Sequence, residues 1–254
     1  MDAFPNFANA IILGNFAGQF ESHQVTTEDG YNLSLLRLTA DSGGNALDKS
    51  KGPLLFIHGA FSRADDWLLN DGEGPSIAVQ WANDGYDVWI GSARGSEGSR
   101  TTTDPGAKDP ESADLAVRAA FWDFTVWDIG LNDVPAFVDK VQKTRYSESG
   151  DTACEKVQIV AHGTGVESTM IASERIEGFA DRVNKVLSIA SCPVMRTRVD
   201  WFNGLNNSDR IAAVYSVMSL SGVPSLIGDD AFAQEIATID ASRFTAFGIV
   251  GFED

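Results

Sequence analysis

Hydrophobic residues fall into short runs divided by Gly-, Asp- and Ser-rich punctuation, and the period within each run predicts its element. Gln19 to Thr26 and Tyr31 to Thr39 read as strands joined by the turn Glu28-Asp29-Gly30, which predicts a hairpin. A Gly-, Asp- and Lys-rich loop, Ala40 to Gly52, follows. Pro53 to Ile57 is then apolar throughout, as in a strand buried on both faces, and ends in His58-Gly59-Ala60. Ser76 to Asn83 has helical character and closes at Gly85. Tyr86 to Ile90 is a second buried strand, ending in Gly91-Ser92-Ala93-Arg94-Gly95, and the polar segment Ser96 to Ser112 reads as a loop. Phe121 to Val141 places Trp122, Val126, Ile129, Val134, Phe137, Val138 and Val141 at three- and four-residue spacings. That predicts a long helix, bent near Gly130 and Pro135.

Lys156 to Ala161 is a third buried strand, turning sharply at His162-Gly163-Thr164-Gly165 into a helix that runs to Ile176. Lys185 to Ala190 is a fourth. Strands alternating with helices predict an α/β fold: a mostly parallel sheet with helices on both faces. From Cys192 the pattern changes to short amphipathic segments carrying Trp201, Phe202, Leu205, Ile211, Val214, Val217, Met218 and Leu220, broken at Gly222-Val223-Pro224. This divides the chain into an N-terminal extension, 1–18, a core, 19–193, and a segment, 194–254, that is either part of a cap or a partner-binding region.

Composition narrows the picture. The 254 residues are 43% hydrophobic and suffice for one large α/β domain or two small ones, and no run approaches the ~18 apolar residues of a membrane span. A formal charge of −17 argues against nucleic-acid binding, which needs a basic face to displace counterions. It suits a solvated surface or a basic protein partner. The start of the chain lacks a basic n-region, and Ala8 to Leu13 is short for a signal peptide. Cys154 and Cys192 are the two cysteines. One precedes a strand and the other follows the far end of its neighbour, roughly 20 Å away at about 3.3 Å per residue. A disulfide needs Cα atoms within about 7 Å, so free thiols are expected.

A strand, a tight turn of small residues and a helix form the setting of a nucleophile elbow, in which G-x-S-x-G places a serine at the apex above the sheet. Here the pentapeptide is Ala161-His162-Gly163-Thr164-Gly165, with no side chain at the apex. Together with Val25-Thr26-Thr27-Glu28-Asp29-Gly30-Tyr31, Phe56-Ile57-His58-Gly59, Gly85-Tyr86-Asp87-Val88-Trp89-Ile90-Gly91 and Arg94-Gly95, this segment resembles the acid lipases, the lysosomal and gastric lipases of the α/β-hydrolase superfamily. The likeness runs from about Gln19 to about Met195. It implies an α/β-hydrolase-like core with an incomplete cap and without the last strands.

The resemblance also assigns positions. Gly163 stands where the family has its serine, and the backbone amides of Ala60 and Thr164 stand at the oxyanion hole. The triad runs in the order Ser, acid, His in this fold, yet the histidines are His23, His58 and His162, with none after the elbow. Thr164 is expected in the first helical turn, lending its amide with its hydroxyl turned away from a substrate. His58 and His162 end neighbouring strands and are expected to be scaffold histidines. A metal site would need a carboxylate such as Asp87 or Glu97, and neither has ligand spacing. Arg94 reads as a structural ion-pair residue. No catalytic residue, cofactor or metal is therefore expected.

These features imply a catalytically inactive, lipase-like structural or assembly subunit bound to other protein chains. If the sheet ends at Lys185 to Ala190, that strand is an edge needing cover. One alternative is a lipid- or acyl-binding module that uses the remnant amides. Another is a fragment or serine-to-glycine variant of an ester-hydrolysing lipase. The family suggests a secretory or lysosomal location, and a subunit role is compatible with an organellar complex.

Overall fold

The computed structural model describes residues 20–190 except 41–43, 61, 70–73 and 150–154. The expectations for 1–18 and 194–254, and for Cys154 and Cys192, lie outside the described residues. The strands are β1 (Phe20–Thr26), β2 (Tyr31–Leu38), β3 (Pro53–Ile57), β4 (Asp87–Ser92), β5 (Thr101–Thr102), β6 (Val157–His162) and β7 (Val183–Ile189). They form one sheet in the order β1-β2-β4-β3-β6-β7, with β5 paired to β2. The hairpin β1–β2 is antiparallel, as is β2 against β4, whereas β4, β3, β6 and β7 run parallel. This is the predicted mostly parallel architecture of an α/β hydrolase.

The continuous apolar run of β3 has the predicted cause. Leu55 and Ile57 enter one core cluster with Trp89, Phe137, Val138 and Ile159. Leu54 and Phe56 enter another, on the opposite face, with Val79, Ala82, Val88 and Val160. The first face is covered by α2 (Leu115–Phe121), α3 (Val126–Asp128), a π-helical turn (Ile129–Asp133), α4 (Val134–Ser149) and α5 (Thr164–Arg175). The second is covered by α1 (Ile77–Asn83) and a 3₁₀ turn (Ala64–Leu68). Ser76 starts α1 as its N-cap, its hydroxyl accepting the Val79 amide, which satisfies one of the donors a helix start leaves over.

The long helix differs from its prediction. It begins at Val126, passes through the π-helical turn and continues to Ser149, while Phe121 belongs to α2. Near Gly130 and Pro135, where the bend is expected, the helix passes through that π turn, which contains Gly130 and lies just ahead of Pro135; such bulges absorb a helix irregularity within one turn. Within Ser96 to Ser112, read as a loop, Thr101–Thr102 pairs with Tyr31 and Asn32. A two-residue strand carries no period to read.

The largest correction concerns the fourth buried strand. That strand exists, as β7, but most of it is exposed, with Val186 at 42% and Leu187 at 45%. Its apolar run matches that of a buried strand. Among the described residues, however, β6 is its only strand neighbour, and the described helices lie over the middle of the sheet.

Two buried arginines tie the sheet to its surroundings. Arg37 meets Asp87 through paired 2.8 Å bonds, reaches Glu148, and lies 4.7 Å from the Trp89 ring. Arg94 Nε bonds Asp133 at 2.7 Å, its terminal nitrogens reach Asp29, and its guanidinium lies 4.1 Å from the Tyr31 ring. Arg94 is thus a structural residue. Tyr31 donates its hydroxyl to the Phe121 carbonyl, and burial pushes its pKa up to about 12.

Candidate active site

The ends of parallel strands β3 and β6 lie side by side, with Ile57 opposite Ala161. The turns that follow them therefore meet. Gly163 adopts φ 51° and ψ −126°, a conformation that L-residues seldom take, and it caps the start of α5. Its amide donates to the Ile189 carbonyl at 3.0 Å, tying the apex to the end of β7. A Cβ built on Gly163 would meet only the Gly59 Cα, at 3.8 Å. The elbow is formed, there is room above it, and nothing fills that room from the apex.

Close packing around the apex has a different cause. A Cβ on Gly165 would come within 2.7 Å of the His58 carbonyl oxygen and 2.8 Å of that of Ile57. These are backbone atoms of the strand end, so the helix can approach β3 only with glycine at this position.

The contact between Thr164 and Ala60 departs from expectation. Thr164 begins α5, as predicted, but its hydroxyl is not turned away. Its Oγ1 accepts the Ala60 amide at 2.7 Å. The helical turn that carries Thr164 does not decide this orientation. What decides it is the loop after β3, which brings the Ala60 donor to the same point from 104 residues earlier in the chain.

The histidines occupy three settings. His58 is buried, its Nδ1 donates to the Gly59 carbonyl at 2.9 Å, and its Nε2 accepts the Ala93 amide at 3.0 Å. Burial holds its pKa below the usual imidazole value. With both nitrogens engaged by backbone, it cannot act as a general base without breaking the link between β3 and β4. His162 sits at the end of β6, and its ring centroid is 6.5 Å from that of Trp67 in an edge-on contact. His23 lies away from the elbow, on β1, its ring tilted against that of Trp89 at 5.0 Å.

His58, His162, Ser62, Asp66, Trp67 and Ile189 line a cleft of about 210 Å³. Among the described residues, Trp67 Nε1 is buried without a hydrogen-bond partner. Ser62, Asp66, Trp67 and Ile189 have no signal in the sequence, since none belongs to a recognisable motif. Among the described residues, no three His, Cys, Asp or Glu side chains converge as a metal site would require. Asp87 is engaged by Arg37, and Glu97 by Arg63. Glu167, in the first turn of α5, is half-buried, and burial pushes its carboxyl above the usual range.

Comparison with known proteins agrees with the fold. Residues 12–71 match the model of a partial alpha/beta-hydrolase lipase region. Lipase 1 of Drosophila melanogaster is 28% identical over 206 residues, covering 78% of this chain and 41% of that protein. The gastric triacylglycerol lipase of Mus musculus is 30% identical over 172 residues, covering 67% of this chain and 39% of that protein. The chain therefore spans about two-fifths of the length of these curated relatives. A crystallised protein of Burkholderia cenocepacia, designated an aryl esterase, superposes with a TM-score of 0.50 at 14% identity, over 92% of this chain and 73% of its own. At that identity, the likeness is one of fold.

Proposed function

Since the chain belongs to the acid lipase family of the α/β-hydrolase superfamily, we propose that it is a catalytically inactive member serving as a structural or assembly subunit. The observation that carries this reading is Gly163. The strained elbow conformation is kept, yet its apex bears no group that could attack an ester. In a serine hydrolase the apex oxygen forms the covalent intermediate, and loss of a triad serine alone has cost about 10⁶ in turnover in a protease. Neither neighbouring histidine offers a substitute mechanism. His58 is bound on both nitrogens, and His162 precedes an apex with no proton to remove.

The full chain is expected to hydrolyse p-nitrophenyl butyrate no faster than a heat-treated control. Gly163→Ser is expected to fit, because a Cβ there finds ordinary contact, at a backbone cost of about 1–3 kcal/mol, and still to give no turnover. Hydrolysis by the unaltered chain that survives Thr164→Ala would overturn the reading. So would turnover and fluorophosphonate labelling in Gly163→Ser, which would reveal a working base.

Support for an assembly role comes from β7 and from charge. Val186 and Leu187 lie on the outermost strand among the described residues with nearly half of their surface in water, an arrangement that favours cover by another chain. The formal charge of −17 would select a basic partner. Purification from the native source is expected to recover the chain with other proteins, and partner binding should slow hydrogen exchange in 185–190. A monomer with those amides already strongly protected, and no partner recovered, would count against the subunit role.

A further inference from the structure

We propose that the Thr164 hydroxyl is a built-in occupant of the remnant oxyanion site, closing it to acyl oxygens. The inference rests on reading Ala60 and Gly163 to Gly165 as a hydrolase elbow. It concerns what the amides do once the nucleophile is gone. In a working elbow, the amide after β3 and the amide following the apex point at the place where a carbonyl oxygen gains charge. Here the first of those donors, Ala60 N–H, is already satisfied at 2.7 Å by an oxygen of the protein.

The contact is well placed to act as a plug. Thr164 is the first residue of α5, and its β-branched side chain has few rotamers, so its oxygen is presented at little entropic cost. The partner amide belongs to the loop after β3, which the His58 bonds to Gly59 and Ala93 hold in place. Both ends of the hydrogen bond are therefore anchored to strands that pair directly, β3 and β6. An incoming carboxylate or ester oxygen must displace Thr164 Oγ1 before it can reach Ala60. It also finds no serine above Gly163 to bond with afterwards. The site is thus closed from the side of binding as well as that of chemistry, which weighs against an acyl-binding module built on these amides.

The test is an amide-resolved titration of the full chain with octanoate. In the unaltered protein and in Thr164→Ser, which keeps the hydroxyl, the Ala60 resonance is expected to stay in place at millimolar octanoate. In Thr164→Ala it is expected to shift saturably, with an affinity about tenfold or more higher, the scale of one hydrogen bond to a charged group. Hydrogen exchange gives a second readout without ligand: Thr164→Val, which keeps the shape, should expose the Ala60 amide to about tenfold faster exchange. A saturable Ala60 shift in the unaltered protein would overturn the plug, as would Ala60 exchange that Thr164→Val leaves unchanged. Failure of the inactive-enzyme reading looks different, since it appears as ester turnover whatever the Ala60 resonance does.

Discussion

Arg94→Met is expected to lower the unfolding free energy by about 3–5 kcal/mol at neutral pH, the usual cost of leaving one partner of a buried ion pair behind. The side chains of Arg94 and Asp133 are 1% and 0% exposed, so neither charge has water to fall back on. Asp133 accepts both the Arg94 backbone amide and the guanidinium Nε, and only the first would survive the substitution. The stack on Tyr31 and the bonds to Asp29 would be lost as well.

The loss should depend on pH in a defined direction. Even with Arg94 present, burial pushes Asp133 up to about 6, above its ordinary value of 3.8. A carboxyl whose folded pKa is raised binds its proton more tightly when folded, so its charged form penalises folding above that pKa. Without the guanidinium, the folded pKa should rise further. The destabilisation should therefore be larger at pH 8 than at pH 5, shrinking as pH falls and Asp133 takes up its proton. Urea denaturation of both proteins between pH 5 and pH 8 checks this. A deficit that is constant across the range, or below about 1 kcal/mol as for an exposed pair, would show that Asp133 is not the residue left stranded.

Gly165→Ala is expected to cost about 3 kcal/mol, the upper part of the range for overpacking. One added methyl group would stand 2.7 Å and 2.8 Å from two carbonyl oxygens of a central strand end, and neither can swing aside as a flexible side chain would. Gly163→Ala is the informative comparison, because there the added carbon finds space and meets only an unfavourable backbone conformation. That penalty should be about 1–3 kcal/mol and should leave the approach of α5 to β3 unchanged. Thermal unfolding of both variants, with a structure of Gly165→Ala, separates the mechanisms. Helix α5 should be displaced from β3 only in Gly165→Ala. If Gly165→Ala melts with the unaltered protein, α5 does not approach β3 so closely.

The local order of the site is legible in the linear chain. A strand apolar at all five positions, Pro53–Ile57, has to be covered on two faces, and the two core clusters divide Leu54 and Phe56 from Leu55 and Ile57. A strand followed by His162-Gly163-Thr164-Gly165 has few ways to enter a helix, so the elbow and its empty apex follow from the residues themselves. Period, turn chemistry and glycine placement are properties of neighbouring residues, and a sequence displays neighbours directly.

What required the tertiary structure was every feature set by residues far apart in the chain. The apolar character of β7 is plain in the sequence, but its exposure depends on which elements stand beside it. The pairing of Thr101–Thr102 with Tyr31 and Asn32 depends on where a loop passes, not on any period within it. The orientation of Thr164 is the clearest case. By sequence it is a helix-starting residue with a free hydroxyl, and its partner Ala60 is an ordinary residue in a different loop. Chain composition determined that the apex has no nucleophile. The parallel pairing of β3 with β6 decided that the adjacent hydroxyl occupies the amide, because it brings two turns within hydrogen-bonding distance that the linear chain holds 104 residues apart.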